Sequence, residues 1–108
     1  MNENLINMIK INSLQYNALR DPQVYRRVVG AAFRIQAIMA GSGPVQVTLS
    51  DEKGASLAQD DVQAPGTFSH ELSFAQPGVR IVTITAHRGD QQQSQNIRLD
   101  VMAQAWVG

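Results

Sequence analysis

The chain has 108 residues, nine Lys and Arg balanced by nine Asp and Glu, and no cysteine. That length supports one domain with one core, and the absence of thiols excludes disulfides, thiolate catalysis and thiolate metal sites. Balanced charge leaves no field to hold a polyanion, which needs clustered Lys and Arg; Arg26-Arg27, with Arg20 and Arg34 nearby, reads as a solvated face and not as a nucleic-acid surface.

Residues 3–20 place Leu5, Ile9, Tyr16 and Leu19 at helical spacing, with Ile6 and Met8 beside the first turn. The spacing predicts a short helix, although five Asn (Asn2, Asn4, Asn7, Asn12, Asn17) oppose it by competing for backbone hydrogen bonds. A helix this short is marginal alone and needs a surface to lie against. Met1-Asn2-Glu3-Asn4 lacks the basic start and apolar run of a secretory signal. The longest apolar region, 28–40, is interrupted by Arg34 and Gln36 and is too short to cross a bilayer. As written, the chain is expected to be soluble, without membrane insertion, and cytoplasmic if complete.

Asp21-Pro22 marks a boundary, because Asp can cap, Pro fits a first helical position, and the residue before Pro is pushed away from helix. It divides an N-terminal extension, 1–22, from a β-sandwich domain, 23–108. Residues 24–40 admit two readings. Ala31, Ala32 and Ala37 suit a second helix. Read with period two, Ala31, Phe33, Ile35, Ala37 and Met39 form one apolar face, and Val28-Val29-Gly30 disfavours a helix centre. A first strand over 26–40 with a bulge at Gly30 is the favoured reading.

Gly41-Ser42-Gly43-Pro44 predicts a turn. Val45, Val47 and Leu49 alternate with polar residues as a half-buried strand, and Asp51-Glu52-Lys53-Gly54 closes a hairpin onto residues 55–58. Residues 60–66 read as a polar loop ending in Pro65-Gly66. Phe68, His70, Leu72 and Phe74 share one strand face. Pro77-Gly78 turns the chain into a central strand rich in Val and Ile over 79–86. Gly89-Asp90 and Gln91-Gln92-Gln93 make a hairpin tip, and Ile97, Leu99, Val101 and Ala103 alternate down a last strand that ends near Trp106. Several strands at short spacing predict a mainly β, antiparallel two-sheet sandwich.

Two phrases carry a resemblance. Pro44-Val45-Gln46-Val47-Thr48-Leu49-Ser50-Asp51-Glu52-Lys53-Gly54 is a strand running into a charged, Gly-closed turn. Pro77-Gly78-Val79-Arg80-Ile81-Val82-Thr83-Ile84-Thr85-Ala86 is a Pro-Gly corner feeding a Val/Ile/Thr run. Together they resemble the immunoglobulin-like and fibronectin-type-III-like sandwiches of bacterial proteins over residues 30–105, without the paired Cys and central Trp of antibody domains. The resemblance implies a spacer, adhesive unit or docking surface.

Candidate chemistry is sparse. His70, on an apolar face, is either a pocket ligand or a core histidine bonded to a backbone carbonyl; His87, ending the following strand, is the residue that could join it across a ladder. Two histidines fall short of the three or four ligands a transition metal wants. Asp51, Glu52, Asp60, Asp61, Asp90 and Asp100 sit in or near turns, where solvated turn chemistry explains them better than calcium does. No G-x-S-x-G occurs, and Ser69-His70-Glu71 point to alternate faces of a strand and cannot act as a triad. Gly41-Ser42-Gly43 lacks the Lys and helix of a phosphate cradle. One Trp and two Tyr are few for sugar stacking.

The sequence therefore points to a non-enzymatic sandwich module without cofactor or metal. It is expected to dimerise, or to dock to another protein, through its N-terminal segment (Leu5, Ile6, Ile9, Tyr16, Leu19) and an edge strand. An accessory module binding a carbohydrate or a metal near His70 and His87 is the alternative.

Overall fold

Seven strands and no helix make up residues 5–16 and 26–103, which the computed structural model describes. They are β1 (Ile6–Ile11), β2 (Leu14–Gln15), β3 (Arg27–Val28), β4 (Phe33–Ser50), β5 (Ser56–Leu72), β6 (Gly78–Arg88) and β7 (Gln91–Met102). The strands belong to one sheet in the order β2-β1-β4-β6-β7-β3, with β5 on the other side of β4. Every pairing is antiparallel except β3 with β7. The architecture is thus mainly β, as the alternation predicts, but it is one curled, mixed sheet resembling a half-barrel, and not two separate sheets.

The curl originates in β4. Its 18 residues drawn straight would span about 60 Å. Yet Asp51, Glu52 and Lys53, at one end of the β4–β5 ladder, line the same cavity as Leu72 and Phe74, at the other. The ribbon is folded double. The fold line coincides with a register shift in which Met39 pairs with Gly66 and Gly43 with Ala64, leaving two extra residues on β4. Glycine is required on both strands there. Gly41 has φ +84°, and a Cβ on it would lie 2.7 Å from Arg88 Nη1, while Arg88 Nη2 donates to the Ala40 carbonyl at 2.8 Å. A Cβ on Gly66 would run into the Gln63 carbonyl oxygen.

β1 and β6 share the remaining edge of β4 in succession. β1 takes the first half (Ile11↔Ile35, Ile9↔Ala37, Ile6↔Met39) and β6 the second (Ser50↔Thr83 to Gln46↔His87). The fold brings β1 towards the β6–β7 hairpin, where half-buried Gln93 accepts hydrogen bonds on Oε1 from the Leu5 and Ile6 backbone N–H groups at 2.8 and 3.1 Å. One core results, built from Leu5, Ile9 and Ile11, the odd positions 33–39 and 45–49 of β4, Phe68 of β5, Val82 and Ile84 of β6, and Ile97 and Leu99 of β7.

Residues 6–11 correct the helical expectation. Ile9 and Ile11 face inward with period two, and a bulge between Ile6 and Met8 lets both Leu5 and Ile6 turn in. A two-residue hairpin loop follows, in which Asn12 and Ser13 both have positive φ (55° and 72°), as a primed turn demands. Among the described residues, β1 is a strand of the same sheet as β4 and its apolar residues belong to the same core. The Asp21-Pro22 boundary, Leu19 and Trp106 lie outside the described residues.

Three further boundaries move. Gly30 (φ +81°) sits in a turn between β3 and β4, not in a bulge within one strand over 26–40. The Gly41-Ser42-Gly43-Pro44 stretch is the bulged middle of β4 and not a turn, and 60–66 continues β5 and is not a loop. The hairpins at Asp51–Gly54 and Gly89-Asp90 stand as expected, although Gln91-Gln92-Gln93 pair with β6 as the start of β7 and are not part of a tip. The first is closed by Asp51 Oδ1, which accepts from the Lys53 and Ala55 N–H groups at 2.9 Å each. Among the described residues no helix is long and apolar enough to cross a membrane.

Burial separates neighbours on the first hairpin: Ile11 is fully buried and Leu14, opposite it, is 44% exposed. Ile11→Ala should lower the unfolding free energy by about 2–5 kcal/mol, and Leu14→Ala by less than about 0.5 kcal/mol, in urea denaturation followed by fluorescence or circular dichroism. Equal losses would contradict the placement of β1.

Candidate functional site

The longest unpaired stretch of backbone is the outer edge of β5, which pairs with β4 and with no other strand among the described residues. Which of its groups are free follows from hydrogen bonds on the far side of β4. Arg34 exchanges bonds with Asn12, its carbonyl accepting from the Asn12 N–H and its own N–H donating to Asn12 Oδ1; the Ala40 N–H donates to the Leu5 carbonyl. The even residues 34–40 therefore turn their backbone groups toward β1, and the odd ones toward β5. Since Phe33, Ile35 and Ala37 pair with Leu72, His70 and Phe68, those three β5 residues are spent on the ladder. Thr67, Ser69 and Glu71 point their N–H and C=O groups outward.

Alternation extends the outward set to Pro65, whose missing N–H falls where no ladder bond is lost. The side chains of 65, 67, 69 and 71 are all exposed. Farther toward the hairpin, Asp60 and Asp61 put adjacent carboxylates on this strand and guard it against casual pairing. Residues 67–71 are thus an open segment of polar side chains, with Glu71 ion-paired across the ladder to Arg34 at 3.4 Å.

The opposite margin of the sheet is occupied. β3 pairs with Val101 and Met102, the Val29 N–H donates to the Met102 carbonyl, and the Arg98 N–H donates to the Tyr16 hydroxyl at 3.3 Å. Arg26 reaches Asp100 at 3.4 Å, and Arg98 reaches the same carboxylate at 3.2 Å. Of the arginines nearest to a basic cluster, Arg26 is matched by Asp100 and Arg34 by Glu71, while Arg27 donates to the Arg26 carbonyl at 3.2 Å.

Of the residues expected to form an interface, Leu5, Ile6 and Ile9 are buried in the chain's own core, at 1%, 6% and 4% exposure. Tyr16 is half-buried against that core. Their apolar surface is already consumed within one chain. His70 is half-buried on β5 opposite Ile35; His87 is exposed on β6 between Gln46 and Gln92. The register does not bring the two histidines together. Among the described residues no three His, Cys, Asp or Glu side chains group as metal ligands. A polar cavity of about 270 Å3 lies beside the β1–β2 turn, lined by Asn12, Ser13, Arg27, Arg34 and Glu71.

No protein-family model matches this chain, and no curated protein matches it.

Sequence reasoning missed the edge because edge status depends on which strand pairs with which. Pro65 and Asp60-Asp61 were the available signals, since both are devices that edge strands carry. The assignment of outward groups is testable by paired substitutions. Ser69→Pro should cost less than about 1 kcal/mol, because the lost N–H faces solvent. His70→Pro should cost about 2 kcal/mol or more, because it removes a ladder bond and strands a carbonyl. Chemical denaturation reads both, and the reverse order would invert the edge geometry.

Proposed function

We propose that this chain is a non-enzymatic β-sheet interaction module that takes up a further strand, from a second copy or from a protein partner, along the free edge of β5. The observation that supports it is the outward row of backbone groups at Thr67, Ser69 and Glu71, flanked by Pro65 on one side and the end of the strand on the other. Main-chain bonds along such an edge give affinity without requiring an apolar patch. The N-terminal segment contributes indirectly: β1 holds the first half of β4, and hence β5, in place. Kinship with immunoglobulin-like modules belongs to the same proposal, supported by the core enclosed between the folded halves of the ribbon.

Charge sets the register of self-pairing. An antiparallel pair of β5 edges centred on Gly66 would place Asp61 opposite Glu71 of the second copy, which like-charge repulsion disfavours. Centred on Ser69, Thr67 faces Glu71 of the second copy and no carboxylates oppose. Self-association through residues 67–71 should appear in multi-angle light scattering as a mass that rises with concentration, and Ser69→Pro should return it to the monomer value. A wild-type mass that never exceeds the monomer, or a dimer indifferent to Ser69→Pro, would remove self-pairing at this edge.

A further inference from the structure

On β6 the core-facing positions are Val82, Ile84 and Ala86, and the same parity carries an arginine at either end, Arg80 and Arg88. The two ends differ. Arg88 is anchored at the fold line by its bond to the Ala40 carbonyl. Arg80 stands at the opposite end, where the core opens into a cavity of about 430 Å3 walled by Leu57, Leu72 and Phe74 and rimmed by Glu52 and Lys53. That volume lies in the range of small-molecule sites.

The Arg80 guanidinium is poorly satisfied for a cation among such walls. Among the described residues it makes no hydrogen bond: Glu52 approaches its Nη1 only to 4.0 Å, and the Phe74 ring lies 5.8 Å from its central carbon; its Nε, like that of Arg88, is buried without a partner. The side chain is about one-third exposed, so part of it remains in reach of an incoming group. Phe74 is itself fixed, its ring edge-on to Phe33 at 5.9 Å and its carbonyl accepting from the Gly30 N–H. Of the two neighbouring carboxylates, Asp51 is committed to its own turn, and Glu52 is 46% exposed and at the limit of ion-pair distance. Lys53 adds a second positive charge at the rim.

We propose that this cavity binds a small amphipathic carboxylate, its anionic head taken by the planar donor fork of Arg80 in place of Glu52 and its short apolar or aromatic body lodged against Leu57, Leu72 and Phe74. A planar guanidinium suits a carboxylate, which can accept two parallel bonds from it. The apolar walls favour a ligand with a hydrocarbon body over inorganic anions, which offer them nothing. Residues 67–71 do not line this cavity, so the proposal stands or falls separately from strand addition at the β5 edge.

Titration of the 15N-labelled full chain with 3-phenylpropionate, and separately with its uncharged amide 3-phenylpropionamide, tests it by NMR. Saturable shifts centred on Lys53, Phe74 and Arg80 are expected with the carboxylate, and affinity for the amide should be lower by roughly tenfold or more. Arg80→Gln should reduce carboxylate affinity to the level of the amide, and Arg80→Lys, which keeps the charge without the fork, should fall between. Equal binding of acid and amide by the wild-type chain, or no saturable shift at millimolar ligand, would overturn the proposal without recourse to any variant.

Discussion

Everything in this molecule depends on one ribbon being folded across itself. β4 and β5 pair over nearly their whole length, and a flat ladder of that length would leave an apolar face bare to water. Folding at Gly41 and Gly66 puts the inward residues of both halves of β4, Phe33 to Met39 and Val45 to Leu49, into the same core. Each such large side chain contributes about 1.5–3 kcal/mol on burial, so the fold line decides whether the chain has an interior. The two extra residues on β4 mark the bend, and the glycines let backbone and Arg88 approach where a Cβ would collide. β1, β6 and β7 then complete the enclosure along the remaining edge of β4.

Much of the core was legible because alternation survives any topology. Phe33, Ile35, Ala37, Met39, Val45, Val47 and Leu49 face inward whether β4 is one strand or two. The hairpins at Asp51 and Gly89 were legible because their turn residues act locally. The N-terminal strand was not, because Leu5 and Ile9 satisfy helical spacing, and the bulge that turns both Leu5 and Ile6 inward blurs period two. The signal that would have found it is Asn12-Ser13 between Ile11 and Leu14, a left-handed pair in a two-residue loop. Glycine and proline misled at 41–44 and 65–66 because the same residues that end strands also bend them, and only the partner strand distinguishes the two uses. Of the proposed ligand cavity, the inward parity of Arg80 could be read from Val82 and Ile84; its walls come from residues far apart in sequence and could not.

The outward face over β4, β6 and β7 shows why uncharged polar residues repeat there. Thr48, Thr85 and Ser94 stand in one row and Ser50, Thr83 and Asn96 in the next. Thr83 Oγ1 donates to Asn96 Oδ1 at 2.8 Å, and the Thr85 and Ser94 hydroxyls lie 3.0 Å apart. These side chains stiffen the sheet by bonding to one another across strands. Their hydroxyls are partly spent, which makes this face a less demanding surface than its polarity suggests.

The two long margins of the sheet, by contrast, are treated unequally. Along β7 the chain contributes the Tyr16 hydroxyl, β3 and an Arg26–Asp100 pair to the edge. Along β5 it contributes only local deterrents, a proline and adjacent carboxylates, and these stop short of residues 67–71. Backbone groups facing water are not themselves costly, since water satisfies them. In the proposed strand addition, exchanging that water for another strand gains little per bond, so partner choice would come from the exposed side chains of Thr67, Ser69 and Glu71 and from the Arg34–Glu71 pair beside them. The arriving strand would meet uncharged Thr67 and Ser69 and, at the end of the row, the carboxylate of Glu71, only weakly offset by its exposed pair with Arg34.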